Sequence, residues 1–198
     1  MTGRVGTVAR KTKETTIAVR VALDGRGDVS VSTGIPFFDH MVAQLGKHSG
    51  WDLTVDAKGD LEVDTHHTIE DVGIAIGESF RAAVGDKAGV RRFASIDVPL
   101  DEALVEVAVD LSGRPFLHYD IDLPPDAAHL GTPAFDPQLA EEFWRAFATN
   151  AALTLHIRLR YGRNTHHIIE ASFKGVARAL RDAVRIEGSD LPSTKGML

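Results

Sequence analysis

The chain carries one six-residue pattern twice, THHTIE at Thr65–Glu70 and THHIIE at Thr165–Glu170. Sliding the sequence on itself by 100 positions superposes these strings, and with them Leu53-Thr54 on Leu153-Thr154 and Arg81, Ala83 and Val84 on Arg181, Ala183 and Val184. Upstream the offset becomes 88: ETTIAVRVALDGRG lies on EALVEVAVDLSGRP, matching Glu14 to Glu102, Val19 to Val107, Leu23 to Leu111 and Gly25-Arg26 to Gly113-Arg114. The offset changes because the second copy holds extra loop, LPPDAAHLGTPAFDP. Ordered self-similarity of this kind marks a duplicated unit, so the fold assigned to one half must also suit the other.

Each half reads in the same order. TTIAVRVAL alternates apolar and polar residues, DGRG supplies a turn and DVSVST alternates again, which predicts a hairpin. Residues 103–123 repeat that pattern around SGRP. A short helix follows, around FDHMVAQLGKH in the first half and LAEEFWRAFATNAA in the second, then a strand, WDLTVDA or LTLHIRL. The last element is a longer helix that begins at the double histidine, with Asp64 or Asn164 placed to cap it and helical periodicity through IEDVGIAIGESFRAAV and IIEASFKGVARALRDAV. The expectation is an α+β fold of two tandem, pseudo-symmetric β-β-α-β-α halves, each laying its helices on one face of its sheet. The halves span about 10–92 and 93–187 of a single domain, and 188–198, without periodicity, reads as an extended tail.

Composition narrows the chemistry. With 43% hydrophobic and 25% charged residues the chain resembles a soluble globular protein. No apolar run approaches the roughly 20 residues a bilayer crossing needs. The N-terminal stretch lacks the apolar core of a secretory signal, so a cytoplasmic location is expected. A formal charge of -6 argues against a general nucleic-acid surface, and the absence of cysteine means that any metal is held by His, Asp or Glu.

In a helix His66 and Glu70 are four residues apart and His67 and Glu70 three apart, so either ring can share a face with the carboxylate, while the two rings diverge by about 100°. One helical turn thus aims two nitrogen ligands in different directions, which suits two ions better than one. His166, His167 and Glu170 repeat the arrangement. A nitrogen and oxygen set without thiolates favours Mn, Zn, Fe or Ni. Duplication points to one more pair of ligands. His40 lies on the short helix of the first half and Glu142 on that of the second, so the two are expected to play the same part, each completing a cluster.

The strings TGIPFFDHM, DTHHTIEDVGIAIG, DLSGRPFL, TLHIRLRYGRNTHHIIEASFKGVARALR and PSTKG resemble imidazoleglycerol-phosphate dehydratases of histidine biosynthesis, in order and over essentially the whole chain. The resemblance implies a fold like the second domain of a small-subunit ribosomal protein, and a hydro-lyase that converts D-erythro-imidazole-glycerol phosphate to imidazole-acetol phosphate. It implies two manganese ions per active site, other divalent transition metals being possible, and no organic cofactor. It also implies a large homo-oligomer of cubic symmetry, about 24 subunits, with active sites at subunit interfaces. The implied metal ligands are His40, His66, His67, Glu70, His166, His167 and Glu170. Where many members have a histidine, in a stretch like VEHFF, this chain has AEEFW, so Glu142 stands at that position; a carboxylate also suits Mn²⁺.

In that reaction hydroxide leaves the carbon beside an imidazole ring and a proton leaves the next carbon, and the resulting enol becomes the ketone. Metal ions on both ring nitrogens favour the imidazolate, whose electron density pushes out the hydroxyl. A base must take the carbon-bound proton. The resemblance assigns that duty to Glu14, with Glu170 or Glu70 able to share it. Gln44, Arg92, Arg114, Lys174, Ser193 and Lys195 are implied to contact substrate or its phosphate, the tail closing over the phosphate as a lid. Two alternatives use the same residues: a dinuclear phosphoester hydrolase, for which no phosphatase nucleophile motif is present, and a homo-oligomer merely bridged by metal. A structural metal site would need neither phosphate cations nor a spare base.

Overall fold

The computed structural model describes residues 3–124 and 127–198. The first half contains strands β1 (Val5–Lys11), β2 (Thr15–Ala22), β3 (Val29–Ser32) and β4 (Asp52–Gly59), with helices α1 (Pro36–Ser49) and α2 (His66–Val84). The second contains β5 (Phe93–Leu100), β6 (Ala103–Asp110), β7 (Phe116–Asp120) and β8 (Thr154–Tyr161), with α3 (Leu139–Ala151) and α4 (Thr165–Ala183). The two sheets have the same order, β1-β2-β4-β3 and β5-β6-β8-β7. The α+β class and the tandem, pseudo-symmetric layout are therefore as expected.

The structure adds a leading strand to each half. Both β1 and β5 are edge strands, where the pressure for clean alternation is weak. Gly6 interrupts β1 because the backbone of α2 crosses there: a Cβ at this position would fall 1.9 Å from the Ser79 carbonyl oxygen. Pro99 interrupts β5, which an edge tolerates.

The leading strand also changes the pairing. TTIAVRVAL and DVSVST do not form the expected hairpin with each other; β4 lies between them, antiparallel to β2 and parallel to β3. The hairpin partner of β2 is β1. Its turn carries no Gly, Pro or Asn signal, because the Thr12 hydroxyl builds it by accepting from the N–H groups of Glu14 (3.1 Å) and Thr15 (2.9 Å). Glu14 consequently sits at a hairpin tip, and Glu102 sits at the equivalent β5–β6 tip.

Helices lie between the two sheets and pair across the halves. α1 packs on β3, β4 and α4, and α3 packs on β7 and α2. Aromatic contacts fill the layer: Trp51 on Phe80 (5.1 Å between ring centroids), Trp144 on Phe173 (4.5 Å) and Phe38 on Phe143 (5.4 Å). The α2–α3 crossing is close because Gly73 and Gly77 face it. A Cβ on Gly77 would lie 2.7 Å from the Phe147 carbonyl oxygen and 3.0 Å from the Ala151 nitrogen. Gly77→Ala gains about 1 kcal/mol of helix propensity but must push two backbones apart, an overpacking cost of about 1–3 kcal/mol. The expected outcome is a lowered thermal midpoint, and a raised midpoint would show that the helices do not approach this closely. No helix among the described residues is long and apolar enough to cross a membrane.

Candidate metal and substrate site

The second clamp is built by its cap. Asn164 accepts from the backbone N–H groups of His166 (2.9 Å) and His167 (3.3 Å), so α4 starts where the sequence pattern places it. In the first half the cap falls one residue later than expected, on Thr65, while Asp64 accepts from the His66 N–H at 2.7 Å. Either way the histidines occupy the first helical turn with their rings splayed.

His166 and Glu170 then meet a residue from the other half. Nε2 of His166 lies 2.9 Å from Glu170 Oε2, and Nε2 of His40, carried by α1, lies 3.3 Å from the same oxygen. Donor atoms of all three lie within 4.8 Å of one another, and this is the group of three or more such donors that closes among the described residues. Bond lengths of about 2.0–2.2 Å to one ion separate its donors by roughly 3 to 4.4 Å, which the separations of His166 and His40 from Glu170, 2.9 and 3.3 Å, match closely. Lys174 donates to Glu170 Oε1 at 2.6 Å. Burial pushes the Glu170 pKa up, but the hydrogen bonds from Lys174 and His166 outweigh it and hold the carboxyl down at about 2. Gln44 stands beside the trio, its amide nitrogen 3.4 Å from the His40 ring nitrogens and its oxygen accepting from His48 at 3.0 Å.

The first clamp is open by comparison. His66 Nε2 is 3.9 Å from Glu70 Oε2, and no third donor closes on them among the described residues. Glu142 lies in the first turn of α3, the helix that packs on α2, as His40 lies on the helix that packs on α4. Its carboxylate instead rests 3.6 Å from Arg145 Nε.

His67 and His167 turn away from these clusters. Nδ1 of His67 lies 3.0 Å from Asp60 and 3.9 Å from Glu14, while Nδ1 of His167 lies 2.7 Å from Glu102 and its Nε2 3.7 Å from Asp101. Sequence reasoning assigned no role to Asp60 or Glu102. Asp60 carries no duplication signal, since the residue 100 positions on is Arg160.

The remaining residues gather at the far end of α4. Arg92 donates its N–H to the Ala183 carbonyl (2.9 Å), its Nε to Asp110 (2.7 Å) and Nη1 to the Pro192 carbonyl (2.7 Å). The tail is thereby held against Arg92, with Ser193 Oγ donating to the Met197 carbonyl at 2.9 Å and accepting from the Lys195 N–H at 3.2 Å. Arg114 projects nearby, 3.9 Å from Asp110 and 65% exposed. From His166 to Ala183 the helix rises roughly 25 Å at about 1.5 Å per residue. One chain therefore holds its arginines and its His-Glu cluster much farther apart than a small molecule can span. The first clamp also borders a cavity of about 440 Å³ lined by Thr65, His66, His129, Asp136 and Leu139.

A family model described as imidazoleglycerol-phosphate dehydratase matches residues 33–180. The chain is 57% identical to the imidazoleglycerol-phosphate dehydratase of Symbiobacterium thermophilum, covering 98% of this chain and 93% of that protein. It is 55% identical to that of Acidothermus cellulolyticus, with the same coverage. Among solved structures it resembles imidazoleglycerol-phosphate dehydratase from Staphylococcus aureus (38% identity, TM-score 0.80, covering 90% of this chain and 97% of that one). It also resembles IGPD from Pyrococcus furiosus (36% identity, TM-score 0.82, covering 96% and 100%).

Proposed function

The chain belongs to the imidazoleglycerol-phosphate dehydratase family, and from that premise we propose that it is a metal-dependent hydro-lyase of histidine biosynthesis, acting in the cytoplasm on D-erythro-imidazole-glycerol phosphate. The observation that carries the metal reading is the convergence of His40, His166 and Glu170 from two halves of the chain onto one point. We assign one Mn²⁺ to that trio and a second to the pseudo-equivalent set His66, Glu70 and Glu142. His67 and His167 point outward and supply further ligands. Bound there, the ions supply Lewis acidity toward the two ring nitrogens of the substrate.

The residues of the chain do the rest. Glu14, at a hairpin tip with its carboxylate 53% exposed, takes the proton from the carbon next to the one that loses hydroxide. Glu70 and Glu170 share acid-base duty only through their place among the ligands. Gln44 and Lys174 line the substrate beside the cluster of His40, His166 and Glu170. Arg114, Arg92, Ser193 and Lys195 bind the phosphate, and residues 188–198 close over it; the hold of Arg92 on Pro192 supports this. The halves, 10–92 and 93–187, act as one catalytic domain.

The separation along α4 supports a shared site. If the arginines of one subunit serve the metal cluster of another, a substrate of ordinary length reaches both, which accords with a closed homo-oligomer of about 24 copies. Family membership and a Glu14 side chain without a hydrogen bond among the described residues favour dehydration over phosphoester hydrolysis or a purely structural metal bridge.

The direct test incubates Mn²⁺-loaded protein with imidazole-glycerol phosphate. The expected result is the ketone imidazole-acetol phosphate and none after chelation; no product with metal present overturns the proposal. Glu142→Ala is expected to lower bound Mn²⁺ from two per subunit toward one, read by elemental analysis after gel filtration. Unchanged stoichiometry would remove Glu142 from the site.

A further inference from the structure

The two hairpin tips differ in one respect that their common ancestry does not explain. Glu102, at the β5–β6 tip, is fully engaged: Oε2 lies 2.7 Å from His167 Nδ1, and Oε1 accepts from the backbone N–H groups of Asn164 (2.7 Å) and Arg163 (3.1 Å). It ties the hairpin to the start of α4. The His167 contact and then the two N–H groups hold its carboxyl at about 2. Glu14, at the matching β1–β2 tip, stands 3.9 Å from His67 Nδ1, and its side chain makes no hydrogen bond among the described residues. Asp60, on the loop after β4, has taken its place, 3.0 and 3.3 Å from Nδ1 through its two oxygens.

A carboxylate only accepts, so a neutral imidazole beside it must carry its proton on Nδ1 and its lone pair on Nε2. Both contacts therefore select the same tautomer and turn each ring's Nε2 lone pair away from Asp60 or Glu102; beside His167 that nitrogen has the exposed Asp101 at 3.7 Å. We infer that Asp60 and Glu102 are positioning residues, each holding the outward histidine of its clamp as an Nε2 metal donor, and that Asp60 substitutes for Glu14 so that Glu14 is free to transfer protons. In the ancestral half one glutamate at the hairpin tip could hold the histidine. In the first half a second carboxylate relieves it of that task, which accounts for why one tip is anchored and the other is not. The inference rests on the reading of His67 and His167 as metal ligands.

The test is Mn²⁺ titration of the metal-free oligomer, following free ion by electron paramagnetic resonance, for Asp60→Ala, Asp60→Asn, Glu102→Ala and Glu102→Gln. Loss of an outer partner of a metal-bound histidine typically weakens binding about 10–100-fold, and that loss is expected for both alanine variants. Asn and Gln keep an oxygen that accepts from Nδ1–H and should recover affinity to within a few fold, a rescue that a merely structural role does not require. At saturating Mn²⁺, Asp60→Ala should still show reduced kcat, because Glu14 is the nearest carboxylate left to close on His67. If the alanine variants bind Mn²⁺ like the parent while His67→Ala and His167→Ala each lose affinity, the positioning role is wrong and the metal reading stands. If the histidine variants bind normally as well, the metal reading itself fails and takes this inference with it.

Discussion

Glu14→Gln is expected to lower kcat by about 10²–10⁴-fold, the usual worth of a general acid or base, while substrate binding should stay within a few fold of the parent. The substitution preserves shape and removes only the ability to accept a proton. Among the described residues that carboxylate makes no hydrogen bond and only approaches His67 at 3.9 Å; the turn that carries it is built by Thr12, whose hydroxyl bonds to the backbone of Glu14 and not to its side chain. Metal content should therefore be unchanged. A fall in kcat with equilibrium binding retained separates proton transfer from affinity. Near-normal turnover would remove Glu14 from the mechanism and leave Glu70 and Glu170 as the remaining carboxylates.

Glu170→Ala is expected to have the second large effect, and through a different route. Its Oε2 is the point to which His40 and His166 both converge, and its Oε1 receives Lys174. Without the carboxylate the two imidazoles lack the anionic donor that matches a hard divalent ion, and Lys174 loses the Glu170 carboxylate it pairs with. Bound Mn²⁺ should fall by one ion per subunit at micromolar metal and turnover should become undetectable. Millimolar Mn²⁺ should restore part of the occupancy. Two ions still held tightly by Glu170→Ala would mean that His40, His166 and Glu170 are not a metal centre.

Both predictions concern residues the sequence already singled out, but the reasons differ. Glu170 was legible from its place in a repeated string, because a helix start and its i, i+4 spacing are local properties. Glu14 was legible only through resemblance, since a glutamate between alternating strands is unremarkable by itself. Asp60 escaped because the residue 100 positions on, Arg160, is a basic residue of β8, so self-comparison is blind to it. The leading strands β1 and β5 escaped for a related reason: Gly6 and Pro99 serve a helix crossing and a sheet edge, and both weaken the alternation by which strands are recognised. With those strands unrecognised, β2 and β3 were given each other as partners, whereas β4 separates them.

By itself the sequence determined the duplication, the α+β class, the eight candidate metal donors and the helix starts on which six of them ride. These follow from residue identity and short-range spacing, which the chain carries in one dimension. Only the tertiary structure decided that His40 closes with the clamp of the opposite half. The α1–α4 and α2–α3 contacts depend on how two sheets bury their helices against one another, and no local pattern encodes that choice. The roughly 25 Å of α4 between the clamp and Arg92 is likewise a property of the folded chain: a rigid helix keeps the two groups apart, which is why the proposed site draws on a neighbouring subunit.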